Sequence, residues 1–154
     1  MSDGGLLRQL HAALVPHIPT IEKVESGLEA RLETRYGILS LVFDHDPAAR
    51  SVRAYTLLPP PAGAGSGFFN WCLAMNTLYW DAKVGLDAQG MLLVMADVDL
   101  AHLDAAAAAQ VLLTRVSAMC ELIDDDLILY LLEHNLATPA QRERWMRVGD
   151  DEPA

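Results

Sequence analysis

Two places in the chain group residue types that can bind a metal or transfer protons. Asp44, His45 and Asp46 are consecutive, and carboxylate and imidazole groups are common metal ligands. Three adjacent residues on a tight turn cannot all converge on one ion, so we interpret them as solvated turn residues. The acidic run from Asp124 to Asp126 could face a divalent cation, but helical residues one and two apart do not share a face. A charged, solvent-facing segment is therefore predicted there.

No pattern of a known catalytic or nucleotide-binding type is found in the rest of the sequence. The five histidines lack i,i+4 spacing and an HExxH motif, and there is no GxSxG nucleophile motif. Gly63, Gly65 and Gly67 follow a run of prolines rather than a strand, which is unlike a phosphate-binding loop. The sequence predicts that the protein is not an enzyme and holds no cofactor and no metal.

Composition limits the partners. Eleven basic residues stand against 21 acidic ones, giving a formal net charge of −10. Nucleic acids and anionic membranes attract clustered Lys and Arg, so neither is expected as a partner. No run of 18 apolar residues and no signal-peptide start is found, and the two cysteines lack CxxC spacing. We expect a cytoplasmic protein with reduced thiols and no membrane insertion.

Hydrophobic periodicity predicts an α+β fold. A short helix over residues 5–15 precedes strict alternation of apolar and polar residues over 28–36, which is typical of a strand with one wet face. Residues 20–27 stay open, because Ile21 and Val24 suit a helix that Gly27 would interrupt. Further strands follow over 38–43 and 51–58, then a central helix over 67–80 and a hairpin over 80–96.

A long helix from Ala105 with Asp104 as its N-cap, and a last helix over 139–147 with Thr138 and Gln141 as a capping box, complete the pattern. The prediction is an antiparallel five-stranded sheet with helices packed on it, in the order α-β-β-β-α-β-β-α plus a C-terminal helix. Residues 1–148 are expected to form a single domain, and residues 149–154 a disordered acidic tail.

The central helix is apolar on more than one side. One side carries Phe68, Cys72, Met75 and Tyr79, and other sides carry Trp71, Ala74 and Leu78. A surface helix needs only one apolar stripe, so this one needs more than one cover. A fully buried core helix and a helix partly used in an interface remain equal alternatives, and the second predicts a homodimer.

The element order and three stretches resemble the class I type III secretion chaperones (the Tir-chaperone-like family) and the related YbjN-like bacterial proteins. The stretches are the central helix FNWCLAMN (69–76), the hairpin AKVGLDAQGMLL (82–93) and the junction VDLAHLD (98–104). The chaperone resemblance implies a non-enzymatic homodimer that holds an extended segment of a secreted effector. The YbjN-like alternative implies a sensory or regulatory module acting through a protein or small-ligand contact.

The chaperone resemblance also implies which residues meet a partner. Carried onto this sequence, the dimer interface would contain Phe68, Trp71, Met75 and Leu78. The partner-binding residues would be Leu7, Leu10, Leu28 and Leu32, on the first helix and the adjoining strands. For any one of these four leucines, an ordinary place in the core is the competing interpretation.

Overall fold

The computed structural model describes residues 3–25, 27–35 and 37–151. Its strands are β1 (Ile21–Val24), β2 (Gly27–Thr34), β3 (Gly37–Asp46), β4 (Ser51–Leu58), β5 (Lys83–Leu86) and β6 (Leu92–Asp99). Its helices are α1 (Asp3–Leu14), α2 (Ser66–Leu78), α3 (Ala105–Glu121), α4 (Ile128–Glu133) and α5 (Pro139–Asp151), with a π-helical segment (Leu122–Leu127) joining α3 to α4. The α+β class confirms the prediction, and the predicted helices and strands occur in the predicted order, with one additional strand.

The sheet has six antiparallel strands in the order β1-β2-β3-β4-β6-β5, so the prediction of five was one strand short. The additional strand is β1, in the segment that periodicity left open. Gly27 makes it possible: its φ of +152° is rarely adopted by other residues, and an added Cβ would lie 2.2 Å from the Phe43 carbonyl oxygen. The chain therefore folds β1 back onto β2, where Ile21 pairs with Ala30.

β3 is longer than predicted. Asp44 to Asp46 belong to the strand rather than to a turn, because pairing with β4 continues to Asp46 opposite Ser51. The turn comes immediately afterwards, and Asp46 Oδ1 accepts hydrogen bonds from the Ala48 and Ala49 amides at 3.0 Å each. A turn was predicted in this part of the chain, but its position was wrong by a few residues.

The helices cover one face of the sheet. Side chains in register on that face, such as Phe43, Ala54 and Ala96, are buried. α3 packs on β6 and α1, while α2 packs on β5. The other face is partly open, and Ile38 is fully solvent-facing there. This arrangement places α1 near one end of the sheet and α2 at the other.

The ends of the helices follow the predicted capping. Asp104 caps α3, its Oδ1 accepting from the Ala107 amide at 2.8 Å. Thr138 and Gln141 exchange side-chain and backbone hydrogen bonds at 2.7 and 3.2 Å, which is a capping box at the start of α5. The α5 backbone continues to Asp151, beyond the predicted end near Arg147, and residues 152–154 lie outside the described part of the chain.

Candidate protein-binding surfaces

The inner side of α2 is part of the core. Phe68, Cys72 and Met75 are buried, as their helical spacing predicted. The Phe68 ring stacks on Trp71 with a centroid distance of 5.8 Å, and Trp71 lies 5.3 Å from the Tyr130 ring. Aromatic packing of this kind anchors α2 on α4 and leaves Trp71 only half-exposed.

The four predicted dimer residues therefore lie in different environments. Phe68 and Met75 face the core of their own chain, Trp71 is half-buried, and only Leu78 is well exposed, at 67%. Their assignment to a dimer interface stays a prediction. Of the four, Leu78 offers the largest accessible surface to another molecule.

The outer side of α2 has exposed apolar residues that sequence reasoning did not single out. Leu73 is 67% exposed and Phe69 43%, and Trp80, just beyond the helix, is 87% exposed. Together with Leu78 they form what we call the outer α2 surface. The sequence of α2 indicated that such a surface would exist, because a helix that is apolar on several sides and packs on its own chain through one of them exposes another. Which side faces inward depends on the fold.

Asn76 closes the outer edge of β5. Its side-chain amide donates to the Val84 carbonyl oxygen, and its Oδ1 accepts from the Val84 amide, both at 2.8 Å. The Asp87 amide bonds to the Met91 carbonyl oxygen, so in this antiparallel ladder the Val84 backbone groups point away from β6. Asn76 thus takes the place of a neighbouring strand and blocks strand addition at this edge.

The predicted partner-binding leucines lie at the opposite end of the sheet. Leu10 and Leu28 are fully buried in the core, whereas Leu7 and Leu32 are half-buried against it. A partner could contact Leu10 or Leu28 only after α1 had moved. These two leucines therefore have the core positions that the competing interpretation gave them. Partner contact by Leu7 and Leu32 stays a prediction.

β1 presents backbone groups outward at this end. The Arg31 amide bonds to the Thr20 carbonyl oxygen, so alternation directs the backbone groups of Ile21 and Lys23 away from β2. The Ile21 amide donates to the Ile18 carbonyl oxygen, and the Ile21 carbonyl oxygen bonds to Nε2 of His11, at 3.2 Å each. Within the described ranges, the Lys23 N–H and C=O have no partner and face the outside of the sheet.

The acidic groups considered as chemical sites have structural contacts instead. Asp126 accepts a hydrogen bond from the Tyr79 hydroxyl, and Asp125 pairs with Arg35 at 3.4 Å. Burial and the hydrogen bond to Asp126 raise the pKa of Tyr79 above its ordinary value. The solvent-facing prediction for this run holds for Asp125 only, since Asp124 and Asp126 are half-buried.

Neither cysteine has the environment of a reactive thiol. Burial raises the pKa of Cys72 and of Cys120 to about 11, so little thiolate is present near neutral pH. Across the described residues, no three His, Cys, Asp or Glu side chains form a group that could hold a metal ion.

One helical stretch, Ala105–Glu133, is long and apolar enough to cross a membrane by length and composition. It also supplies Leu112, Met119 and Ile123 to the core, each at 0% exposure. Core helices of globular proteins often satisfy the same length and composition test.

Comparison with solved structures gives the fold. The ExsC–ExsE complex matches with a TM-score of 0.53 and 15% identity over 75% of this chain and 86% of that chain. The HopA1–SchA chaperone–effector complex matches with a TM-score of 0.54 and 14% identity, over 77% of this chain and 95% of that chain. The Yersinia pestis type III secretion chaperone SycH, in complex with a fragment of YscM2, matches with a TM-score of 0.45 and 19% identity, over 75% of this chain and 94% of that chain.

The chain has a type III secretion chaperone-like fold. This confirms the resemblance seen in the sequence at the level of architecture. No family model matches the chain, and no curated protein matches it.

Proposed function

We propose that this protein is a small, acidic, cytoplasmic, non-enzymatic chaperone that holds an extended segment of a partner protein, as a secretion chaperone holds an effector. A single domain over residues 1–148 would do this without cofactor or metal. The main supporting observation is the outer edge of β1, where the Lys23 backbone groups face away from the sheet. An extended segment can pair with such an edge and continue the sheet.

The surroundings of this edge suit an extended polypeptide. Val15 on the turn after α1 and Val24 on β1 are each 37% exposed, and Leu7 is half-buried nearby on α1. Backbone pairing supplies affinity with little sequence dependence, while shallow apolar contacts on alternate residues supply selectivity. The net charge of −10 favours a segment that carries basic residues.

The chain would act as a homodimer through the outer α2 surface. Phe69, Leu73, Leu78 and Trp80 expose large apolar side chains to solvent along α2 and just beyond its end. Exposed apolar groups of this kind on a small protein commonly mark a protein interface. Because Asn76 occupies the β5 edge, a second copy would contact side chains here rather than extend the sheet.

A tagged copy purified from its native host tests the proposal. We expect it to retain one polypeptide, identified by mass spectrometry, whose protease-protected part is a contiguous segment near its N-terminus. Lys23→Pro removes the outward N–H without breaking a bond to β2, and should reduce the retained polypeptide at least tenfold. Lys23→Ala keeps the N–H and should retain it.

Other outcomes would contradict the proposal. Equal retention by Lys23→Pro and the unmodified chain, at unchanged melting temperature, would mean that the β1 edge does not hold the partner. Capture of a folded regulator along its whole length, with no protected extended segment, would favour the YbjN-like regulatory alternative.

A further inference from the structure

A cavity of about 390 Å³ lies at the end of the sheet where β3 turns into β4, and none of its described lining residues belongs to β1 or to the outer α2 surface. Three separate segments line it. Leu6 comes from α1, residues 45–50 supply the turn side, and residues 100–103 supply the junction between β6 and α3. Its volume is near the lower end of the range for small-molecule sites, about 300–1,000 Å³.

The lining combines apolar side chains with an arginine and two histidines. Leu6, Leu100 and Leu103 are the apolar members of the lining, while Arg50, His45 and His102 are its polar members. Among the described residues that line the cavity, none is Asp or Glu, although acidic residues outnumber basic ones almost two to one in this chain. A cavity lined in this way favours an anion that carries an apolar body.

Three of the carboxylates next to the lining in sequence bond to backbone amides. Asp46 bonds to the amides of its own turn at 3.0 Å, and Asp99 Oδ1 accepts from the Ala101 amide at 2.8 Å. Asp104 caps α3. Among the described residues, no carboxylate forms an ion pair with Arg50. The guanidinium is therefore available to an incoming anion.

The backbone of Arg50 is in the left-handed region, with a φ of +53°. Arginine there costs roughly 1–2 kcal/mol relative to the right-handed conformation, and Asn or Gly would adopt it more readily. The position is held by a hydrogen bond from the Leu100 amide to the Arg50 carbonyl oxygen at 2.8 Å, which joins the two sides of the cavity. Backbone strain at a charged side chain that pairs with no described carboxylate points to a binding role for that side chain.

We propose that this cavity binds a small carboxylate with an apolar body, the Arg50 guanidinium pairing with the carboxylate and the lining leucines packing on the apolar part. Arg is suited to this because its planar fork can donate two parallel hydrogen bonds to one carboxylate. The carboxylate could belong to a free small acid or to the C-terminal residue of a polypeptide. This site is separate from the β1 edge and does not depend on the function proposed above.

Titration of the full chain with phenylacetate, followed by two-dimensional NMR, tests the site. We expect saturable shifts at the amides of Ala101 to Leu103, and at least tenfold weaker binding of the neutral isostere phenylacetamide. Acetyl-Gly-Phe with a free carboxylate, compared with its C-terminal amide, separates the two sources. If acetyl-Gly-Phe binds at least tenfold more tightly than phenylacetate, the ligand is assigned as the C-terminal residue of a polypeptide. If it binds equally or more weakly, the ligand is assigned as a free small acid.

Arg50→Asn is the decisive variant, because Asn tolerates the left-handed backbone and removes the charge. We expect an equal or higher melting temperature together with at least tenfold weaker phenylacetate binding. Arg53→Asn is the control, since Arg53 pairs with Asp97 at 2.8 Å on the open face and should leave binding unchanged. The proposal is overturned if millimolar phenylacetate shifts none of these amides, if phenylacetamide binds equally, or if Arg50→Asn binds as well as the unmodified chain.

Discussion

The two outer strands of the sheet differ in how their free edges are treated. At β5, the Asn76 side chain bonds to both backbone groups of Val84 and takes the place of a further strand. At β1, the backbone N–H and C=O of Lys23 face outward. The outward backbone groups that do have hydrogen-bond partners within the chain are those of Ile21, two residues earlier. An open edge can pair with another chain, and proteins limit this by covering the edge or by keeping it short and charged, as at the four-residue β1 with its Lys23. Under the proposed function, β1 is the edge that remains available to a partner.

The same two ends differ in their side chains. Beside the closed β5 edge, the outer α2 surface exposes large apolar groups that suit a second copy of the chain. Beside the open β1 edge, the leucines of α1 and β2 are mostly turned into the core, and only smaller aliphatic groups are exposed. One end thus favours side-chain contacts, and the other favours backbone pairing.

The largest effect is expected where the open edge is built. Gly27→Ala should lower the free energy of unfolding by about 3 kcal/mol, because a Cβ would lie 2.2 Å from the Phe43 carbonyl oxygen at a φ that alanine rarely adopts. Chemical denaturation measures this change. Gly85→Ala in β5 is the control, since its Cβ would meet nothing within 4 Å, and a change under about 1 kcal/mol is expected. Equal losses in the two variants would show that β1 is not held in this way.

A smaller effect is expected on association at the other end. Leu78→Asp should weaken a dimer by about 2–3 kcal/mol, because it places a charge in an apolar contact. Light scattering at micromolar concentration should change from twice the 16.8 kDa chain mass toward the monomer value. Ile38→Asp replaces an equally exposed aliphatic residue outside this surface and should leave the mass unchanged. A monomeric unmodified chain, or a dimer that Leu78→Asp does not disturb, would remove the dimer from the proposal.

The smallest effect tests the closed edge itself. Asn76→Ala should lower the free energy of unfolding by about 1–2 kcal/mol, since two hydrogen bonds to Val84 are lost while water can partly replace them. Asn70→Ala, at an exposed position of the same helix, should change stability by less than about 0.5 kcal/mol. The difference between the two variants in thermal unfolding isolates the contribution of the edge closure.

Local signals predicted most of the fold. Alternation over 28–36, the apolar side of α2 and the caps at Asp104 and Thr138 each depend on residues within one element. The structure has them there, although β2 already ends at Thr34 and residue 36 lies outside the described residues. β1 was missed because a strand of four residues is too short for a reliable period. Its existence depends on Gly27 meeting Phe43, a contact between strands that periodicity does not report.

The candidate surfaces were harder to predict than the fold. In the sequence, Asn76 is only a polar residue in an apolar helix. Its bonds to Val84 join a helix to a strand, and the sequence pattern of one element does not report such contacts. Leu10 and Leu28 look like Leu78 in a sequence, but the first two are buried and the third is exposed, because the helix layer covers one face and ends at α2. Arg50 meets residues 100–103 only through the pairing of β4 with β6.

Residue-resolved hydrogen exchange on the chain with and without its bound partner tests the central claim most directly. The account predicts that the Lys23 amide exchanges rapidly in the free chain and at least tenfold more slowly in the complex, because a partner strand accepts its hydrogen bond. The Val84 amide, already bonded to Asn76, should keep the same rate in both states. A complex in which Lys23 exchanges as fast as in the free chain would contradict the assignment of β1 as the edge that holds the partner.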